Sequence, residues 1–387
     1  MINWQNRFSP SVNALPKSGL KKFFDIAKTM DDVVTLGVGE PDFVTPEVIL
    51  NACHSTMNRG ETGYTSSYGL PELRRAIAKD IEKNYGVDYN PEHEILVTVG
   101  VSEALDLAMR VLLAPGDEVL IPEPCYVANR ACIVLAGGVP VPVETLAEEE
   151  FIVKPERILQ AITPRTKAIM IGYPNNPTGA IMSKEELSAI ARIAEEHDLL
   201  VISDELYAHL TYEGNHTCFS SLPGMRERTL LLNGFSKAYA MTGMRVGYAL
   251  APSALIEAMV NIHQYTIICA SVSAQWAAVE ALEKGQPDRE RMIHSYQVRR
   301  QIMIDGFRHL GLPAVTPKGA FYIFPCIKET GLTSAEFAEQ LLIAKRVALI
   351  PGDAFGASGE GYVRCAYASS EANLHKAFER MDGFLNR

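Results

Sequence analysis

The sequence predicts an α/β protein whose larger domain contains a mainly parallel β-sheet with helices on both faces. Short, continuous apolar runs rich in β-branched residues alternate with amphipathic stretches of helical period through the middle of the chain. Strands of a parallel sheet are buried on both faces and are joined by helical crossovers, so they give this pattern. The chain has 387 residues, and a single core stops growing at roughly 250–300 residues. A second, smaller domain is therefore expected.

The elements of the larger domain can be assigned in order. Ser183 and Glu186 have the spacing of a capping box and predict the start of a helix over 183–197, and a second helix is predicted over 102–113. The strands are predicted at residues 94–100, 117–122, 139–143, 167–172, 199–203, 229–233 and 245–250.

The C-terminal part of the chain has a different pattern. Residues 271–310 predict an extended helix, followed by short strands at 320–324, 347–350 and 362–366. An amphipathic helix predicted at 18–30 is expected to join this part. We therefore predict a large domain of residues 46–285, and a small α+β domain formed by residues 1–45 together with 286–387.

Composition excludes several classes of function. The net charge is −10 and no basic run exceeds two residues, so no nucleic-acid partner is expected. No apolar run approaches the roughly 18 residues that span a bilayer, and no signal peptide is evident, so no membrane association is expected. The seven cysteines form no zinc spacing, which is typical of a reduced, cytoplasmic protein. Asp204 and His209 alone are a weak case for a metal, and no metal site is predicted.

Polar motifs follow the predicted strands, where parallel sheets bind ligands. They are the segments Asn175-Asn-Pro-Thr-Gly179, Asp204-Glu-Leu-Tyr207 and Ser236-Lys237, followed by Arg245 and Arg364. A carbonyl-type cofactor requires an amine for a Schiff base, an acid against its ring nitrogen, donors to its ring oxygen and a cation for its phosphate. The motifs contain each of these groups.

These motifs resemble those of the class I/II, fold-type I aminotransferases that depend on pyridoxal 5′-phosphate (PLP). The resemblance runs from Gly-Val-Gly-Glu-Pro-Asp-Phe43 to Tyr-Val-Arg364 and is greatest to the archaeal and bacterial branch with aromatic and aspartate aminotransferases. It implies a large domain with a seven-stranded, mainly parallel sheet and a smaller α+β domain. It also implies ping-pong transfer of the amino group of an L-amino acid to a 2-oxo acid such as 2-oxoglutarate.

The resemblance assigns catalytic roles to three residues and a supporting role to a fourth. Lys237 would carry PLP as a Schiff base and move the proton at the substrate Cα. Asp204 would pair with the pyridine nitrogen, and Tyr207 and Asn176 would donate to the ring oxygen. The alternatives for these residues are a surface lysine, a helix N-cap, a packed tyrosine and a turn residue.

Phosphate binding is expected at the start of the helix after Gly100. The backbone N–H groups of Val101 and Ser102 point outward there, and Ser236 and Arg245 would complete the site. In the family a tyrosine matching Tyr64 reaches the phosphate of a neighbouring subunit, which implies a homodimer. Related enzymes often have a serine at position 234 and a tryptophan at position 244, where this chain has Gly234 and Met244.

Substrate contacts follow from the same resemblance. Tyr126 would stack on the cofactor ring, and Arg364 would hold the substrate α-carboxylate with the backbone N–H of Gly39 beside it. Tyr64, Tyr68 and Tyr126 could form an apolar wall, so aromatic donors with broad specificity are favoured. Aspartate or alanine aminotransferase and a cysteine-conjugate β-lyase remain alternatives. A ligand sensor in gene regulation is disfavoured because the length leaves no room for a DNA-binding domain.

Overall fold

The computed structural model describes residues 4–15 and 29–386. The strands of its central sheet are β2 (Ile95–Thr98), β3 (Glu118–Glu123), β4 (Val139–Glu144), β5 (Thr166–Gly172), β6 (Leu200–Asp204), β7 (Thr229–Gly234) and β8 (Gly247–Leu250). They lie side by side in the order β2-β8-β7-β6-β5-β3-β4. Only β8 runs antiparallel to its neighbours, so the prediction of a mainly parallel sheet is confirmed.

Helices pack on this sheet through apolar faces of helical period. In the helix Val101–Leu112 the buried face includes Ala104, Leu105 and Ala108. The capping box of the helix Lys184–Glu196 is present, with the Ser183 hydroxyl accepting from the backbone N–H of Glu186 at 3.2 Å. The remaining helices of this part are Glu47–Asn58, Pro71–Tyr85, Val127–Leu135, Pro155–Ala161, Ser253–Thr266 and Val272–Lys284.

Smaller sheets lie in the C-terminal part. Strand β1 (Val34–Thr35) pairs in parallel with β10 (Val347–Ala348), which attaches the N-terminal segment there. A three-stranded sheet has the order β11 (Ile350–Pro351), β12 (Val363–Ala366), β9 (Tyr322–Ile323). The helices of this part are Gln286–His309, Ser334–Lys345 and Glu371–Leu385, and the four-residue helix Pro10–Asn13 lies near the N-terminus.

Two predicted helices need comment. The single extended helix predicted over 271–310 is in fact two helices, which end and begin around Gly285. Pro287 lies at the start of the second helix, and proline has no N–H to continue the hydrogen-bond ladder. Of the helix predicted at 18–30, residues 18–28 lie outside the described residues.

Strand register brings the polar motifs together. Asp204, the last residue of β6, lies beside Gly172 at the end of β5 and beside Leu232 in β7. The loops that leave these strands therefore begin at one edge of the sheet. Among the described residues, no helix combines the length and apolar character needed to cross a membrane.

Candidate active site

A cavity of about 480 Å³ opens at the carboxyl ends of the parallel strands. A volume of this size is in the range of small-molecule and cofactor sites. Eleven of the residues predicted from the sequence line it, which are Gly39, Val101, Ser102, Tyr126, Asn176, Asp204, Tyr207, Ser236, Lys237, Arg245 and Arg364.

Asp204 is a carboxylate in an apolar setting. Its Oδ1 accepts from the backbone N–H of Leu206 at 3.1 Å. Burial raises the pKa of the Asp204 carboxyl to about 6 and the adjacent Glu205 adds to the rise, whereas the Leu206 N–H and Lys237 oppose it. A cation placed against this carboxylate would restore its ionised form. Asp204 therefore fits a protonated ring nitrogen.

Lys237 is a partly buried lysine whose Nζ donates to the carbonyl oxygen of Gly39 at 2.6 Å. Burial lowers the pKa of Lys237 to about 8, and the positive charges of Arg364 and Arg245 lower it further, against the opposing effect of Glu40. A pKa closer to neutrality leaves more of the lysine unprotonated at neutral pH, so that it can act as nucleophile and general base there. The sequence assigned only the N–H of Gly39 to the site, and its carbonyl is an additional contact.

Tyr207 forms a pair with Tyr322, which the sequence did not identify as a site residue. Their hydroxyl oxygens lie 2.7 Å apart. Burial raises the pKa of the Tyr207 phenol well above its ordinary value, so Tyr207 remains a neutral donor. Tyr322 lies in the segment 320–324, which the sequence identified only as a strand. Its position in the cavity depends on the pairing of β9 with β12.

Arg364 is a buried arginine with no carboxylate among its described ion-pair partners. Its Nη2 donates to the carbonyl of Gly37 at 2.6 Å and its Nη1 donates to Oδ1 of Asn176 at 3.1 Å. Its Nε is buried without a hydrogen-bond partner in the described part of the chain. The guanidinium also lies over the ring of Tyr322 at 4.6 Å. A buried charge needs a counter-charge, so this group fits a substrate carboxylate.

The start of the helix Val101–Leu112 faces a second arginine. Gly100 precedes the helix with φ of 75°, and a Cβ built there would lie 2.6 Å from Nη2 of Arg245. Arg245 itself has φ of 53°, and its Nη1 donates to the carbonyl of Thr242 at 3.0 Å. A guanidinium beside the free N–H groups of a helix start is a site for a phosphate group.

A steric reason explains why glycine stands at position 234, where related enzymes often have serine. A Cβ at this position would lie 3.0 Å from Cα of Gly247 and 3.2 Å from Cγ2 of Val101. The serine found in related enzymes would require these neighbours to move. Met244 packs partly buried against the main core cluster, and nothing in the structure explains why it replaces tryptophan.

The three tyrosines predicted to form an apolar wall lie in different places. Only Tyr126 lines the cavity of this chain, where Val38, Ile350 and Phe355 accompany it. Tyr64 is 82% exposed and lies outside the cavity. The three apolar side chains were missed by the sequence analysis because two of them come from the C-terminal part and the third from the segment after β1.

His209 has a structural partner. Its Nε2 lies 3.2 Å from Nη1 of Arg289, and burial lowers the pKa of His209 to about 3, with the charges of Arg289 and His216 adding to the effect. Within residues 4–15 and 29–386 no cluster of three or more histidine, cysteine, aspartate or glutamate side chains has metal-binding geometry.

Asp204→Asn is expected to stabilise the ligand-free protein at pH 7. The pKa of Asp204 is about 6 in the folded state and about 3.9 in an unfolded chain. The folded state binds the extra proton between these values, so its stability falls as pH rises from about 4 to about 6. The gain from Asp204→Asn should therefore be complete above pH 6 and absent below pH 4 in urea unfolding. Asp198→Asn is the control, because the Asp198 side chain is 96% exposed. An equal gain from Asp204→Asn at pH 4 and pH 7 would contradict the assignment.

Comparison with known proteins identifies the class that this fold and cavity define. The family described as aminotransferase class I and II matches residues 31–381. An aspartate aminotransferase of Pyrococcus abyssi is 45% identical over 380 residues, which cover 97% of this chain and 98% of that protein. Aromatic-amino-acid aminotransferase 2 of Thermococcus litoralis is 42% identical with coverage of 97% and 98%. The crystal structure of the aromatic aminotransferase from Pyrococcus horikoshii has a TM-score of 0.90 at 44% identity, covering 94% of this chain and 98% of that one.

The chain belongs to the class I and II aminotransferase family and is an aminotransferase. Its structural neighbours share fold type I, so the predicted fold class and family are confirmed. The enzymes of this family depend on PLP.

Proposed function

We propose that this aminotransferase binds PLP in the cavity at the carboxyl edge of the sheet and favours aromatic L-amino acids as donors. The main support is that one cavity combines a lysine amine, an aspartate carboxylate and two arginines. The pKa of Asp204 is raised and the pKa of Lys237 is lowered, and loss of contact with water is the largest cause of both shifts. Arg245 and Arg364 lie at separate places, which suits a ligand with a phosphate and a substrate carboxylate.

The residues of this chain fit PLP group by group. When bound, PLP supplies an electron sink for the negative charge that develops at the substrate Cα. Arg245, Ser236 and the first N–H groups of the helix Val101–Leu112 would hold its phosphate. Asp204 would hold the proton on its ring nitrogen. Tyr126 would cover one face of its ring.

Proton transfer falls to Lys237. Its Nζ donates to the Gly39 carbonyl, which orients the amine. An amine with a pKa of about 8 both accepts and returns a proton near neutral pH, which a ping-pong exchange requires in its two halves. Tyr207 would donate to the ring oxygen of PLP while Tyr322 donates to Tyr207.

Substrate orientation falls to Arg364 and Asn176. The buried and unpaired Nε of Arg364 is a donor for the α-carboxylate that all amino acids share. Asn176 accepts from Arg364 through Oδ1, so its amide nitrogen remains a donor for PLP or substrate.

The walls of the cavity favour an apolar substrate side chain. Val38, Ile350, Phe355 and Tyr126 line it. Its cationic side chains, within the described residues, are Lys237, Arg245 and Arg364, and each already has a role. None of these three cations is left for the side-chain carboxylate of an amino acid donor within the cavity of one chain, which favours aromatic donors over aspartate. A hydrophobic pocket discriminates by only about 1–3 kcal/mol per methylene, so broad specificity is expected.

A panel of donors tests the substrate proposal. With 2-oxoglutarate as acceptor, kcat/KM for phenylalanine and tyrosine is expected to exceed that for aspartate and alanine. Aspartate ahead of phenylalanine by more than about tenfold, ~1.4 kcal/mol, would show a carboxylate anchor and favour the aspartate alternative. Release of pyruvate and ammonia from a cysteine conjugate without any 2-oxo acid would favour the β-lyase alternative.

We also propose a homodimer with shared active sites. Tyr64 is 82% exposed, and Val44 and Tyr265 are exposed by 81% and 86%. A second chain that packed against these large apolar side chains would remove them from water. Tyr64 would then donate to the phosphate held by the partner.

None of the cysteines, all of which are described, forms a disulfide, which supports a cytoplasmic location.

Mixing two defective variants tests the shared site. Tyr64→Ala chains keep Lys237, and Lys237→Ala chains keep Tyr64. A mixed dimer contains one site with both residues, so PLP affinity and activity are expected to recover partly on mixing. A protein that sediments as a monomer, or a mixture with no recovery, would contradict the proposal.

A further inference from the structure

The turn before the helix Val101–Leu112 is held by hydrogen bonds from two residues that do not line the cavity, Glu103 and His263. Glu103, the third residue of this helix, accepts through Oε2 from the backbone N–H of Val99 at 2.5 Å. Its Oε1 lies 2.6 Å from Nδ1 of His263. His263 comes from the helix Ser253–Thr266 and is 0% exposed. One carboxylate therefore connects the turn, its own helix and the buried face of a second helix, Ser253–Thr266.

The hydrogen bonds of the His263 imidazole indicate how it acts on Glu103. With Glu103 ionised, Nδ1 carries the proton and donates to it. Nε2 of His263 is buried and has no partner in the described part of the chain. The imidazole thus makes a single side-chain hydrogen bond, and that bond goes to Glu103. Its contribution is to fix the Glu103 carboxylate in place.

A direct electrostatic role toward the phosphate has the wrong sign. Glu103 lies in the first turn of the helix, and its side chain is 11% exposed. A negative charge there is favourable for the helix dipole, but it repels a phosphate at the same end of the helix. Any benefit of Glu103 to phosphate binding must therefore come from the geometry that its hydrogen bonds impose.

That geometry is narrowly defined. Gly100 has φ of 75°, and its N–H donates to the carbonyl of Thr98 at 2.9 Å. A Cβ at Gly247 would lie 2.7 Å from the backbone nitrogen of Val101. Arg245 closes the turn from the cavity side. A small rotation of residues 99–101 would therefore turn the first N–H groups away from Arg245.

We propose that Glu103 and His263 are positioning residues for the phosphate of PLP. Through Val99 they hold the turn in the shape that directs the N–H groups of Val101 and Ser102 toward the same point as Arg245. This inference rests on the proposed function, because it needs PLP in this cavity.

The test compares the affinity of the ligand-free protein for PLP and for pyridoxal, which lacks the phosphate. Glu103→Ala is expected to weaken PLP binding at least about tenfold and to leave pyridoxal binding within about threefold. Glu103→Gln keeps an acceptor for Val99 and should stay within about threefold of the wild type for both. His263→Phe should likewise weaken binding of PLP but not of pyridoxal. It replaces Glu103→Ala in the test if Glu103→Ala does not fold.

Glu186→Ala is the matched control. Glu186 is also the third residue of its helix and accepts from a backbone N–H before it, that of Ser183 at 2.8 Å, but its helix does not face the cavity. It should leave the ratio of the two affinities unchanged. Equal weakening of PLP and pyridoxal by Glu103→Ala, or no weakening, would overturn this inference alone. A wild-type protein that bound PLP no better than pyridoxal would overturn the proposed function as well.

Discussion

Lys237→Ala is expected to lower kcat by at least ~10²–10⁴-fold, the range that positioned acid–base catalysis typically contributes. The Nζ of Lys237, which contacts the Gly39 carbonyl, is the amine that can move the proton. PLP should still bind through the phosphate site and Asp204, although more weakly. Steady-state kinetics with phenylalanine, together with PLP titration, measure the two effects separately.

Lys318→Ala is a suitable control for this prediction. Lys318 forms a solvent-accessible ion pair with Glu150 at 2.6 Å, outside the cavity. It should leave kcat unchanged, because such surface pairs contribute at most about 1 kcal/mol to stability. Near-normal turnover by Lys237→Ala would remove the mechanism proposed above.

Arg364→Ala should lower kcat/KM by roughly 10²- to 10⁴-fold for every amino acid donor. Removing one partner of a buried ion pair costs about 3–5 kcal/mol, and each factor of ten corresponds to about 1.4 kcal/mol. The loss should be similar for phenylalanine, aspartate and alanine, because the α-carboxylate is common to all of them.

Arg364→Lys refines the same experiment. Lysine retains the charge but lacks the planar pair of donors, and it cannot reproduce both bonds to Gly37 and Asn176. An intermediate loss is expected. If Arg364→Ala impaired only one class of donor, Arg364 would contact substrate side chains and its assignment to the α-carboxylate would be wrong.

Much of this fold follows from local sequence. The strand β6 and the residue that ends it, Asp204, were predicted within one residue, because a continuous apolar run followed by a charge is a local signal. The capping box of Ser183 and Glu186 is local as well. Since parallel strands end at a common edge, predicting the strands also placed Lys237 near Asp204.

The features that the sequence did not predict are non-local. Tyr322 contacts Tyr207, which is 115 residues away in sequence. Phe355 lines the cavity and comes from the C-terminal part. Glu103 and His263 are both common residue types on amphipathic helices, and only tertiary packing brings them within 2.6 Å. No periodicity or short motif carries information about such pairs. Steric limits such as that at Gly234 are visible only with atomic positions.

The pairing of Val34 with Val347 also has a consequence for how the enzyme is made. During synthesis a chain emerges from the ribosome with its N-terminus first, at about 5–20 residues per second, and domains generally fold as they emerge. Residues 34–39 must wait for β10 and β12 before the Gly37 carbonyl can meet Arg364. The central sheet, which ends with β8, can form while the ribosome is still synthesising β9 to β12. The phosphate site and Asp204 would thus form before Arg364 and before the Gly39 carbonyl that contacts Lys237. A chain terminated before Arg364 would lack the carboxylate-binding group even where it retained the phosphate site.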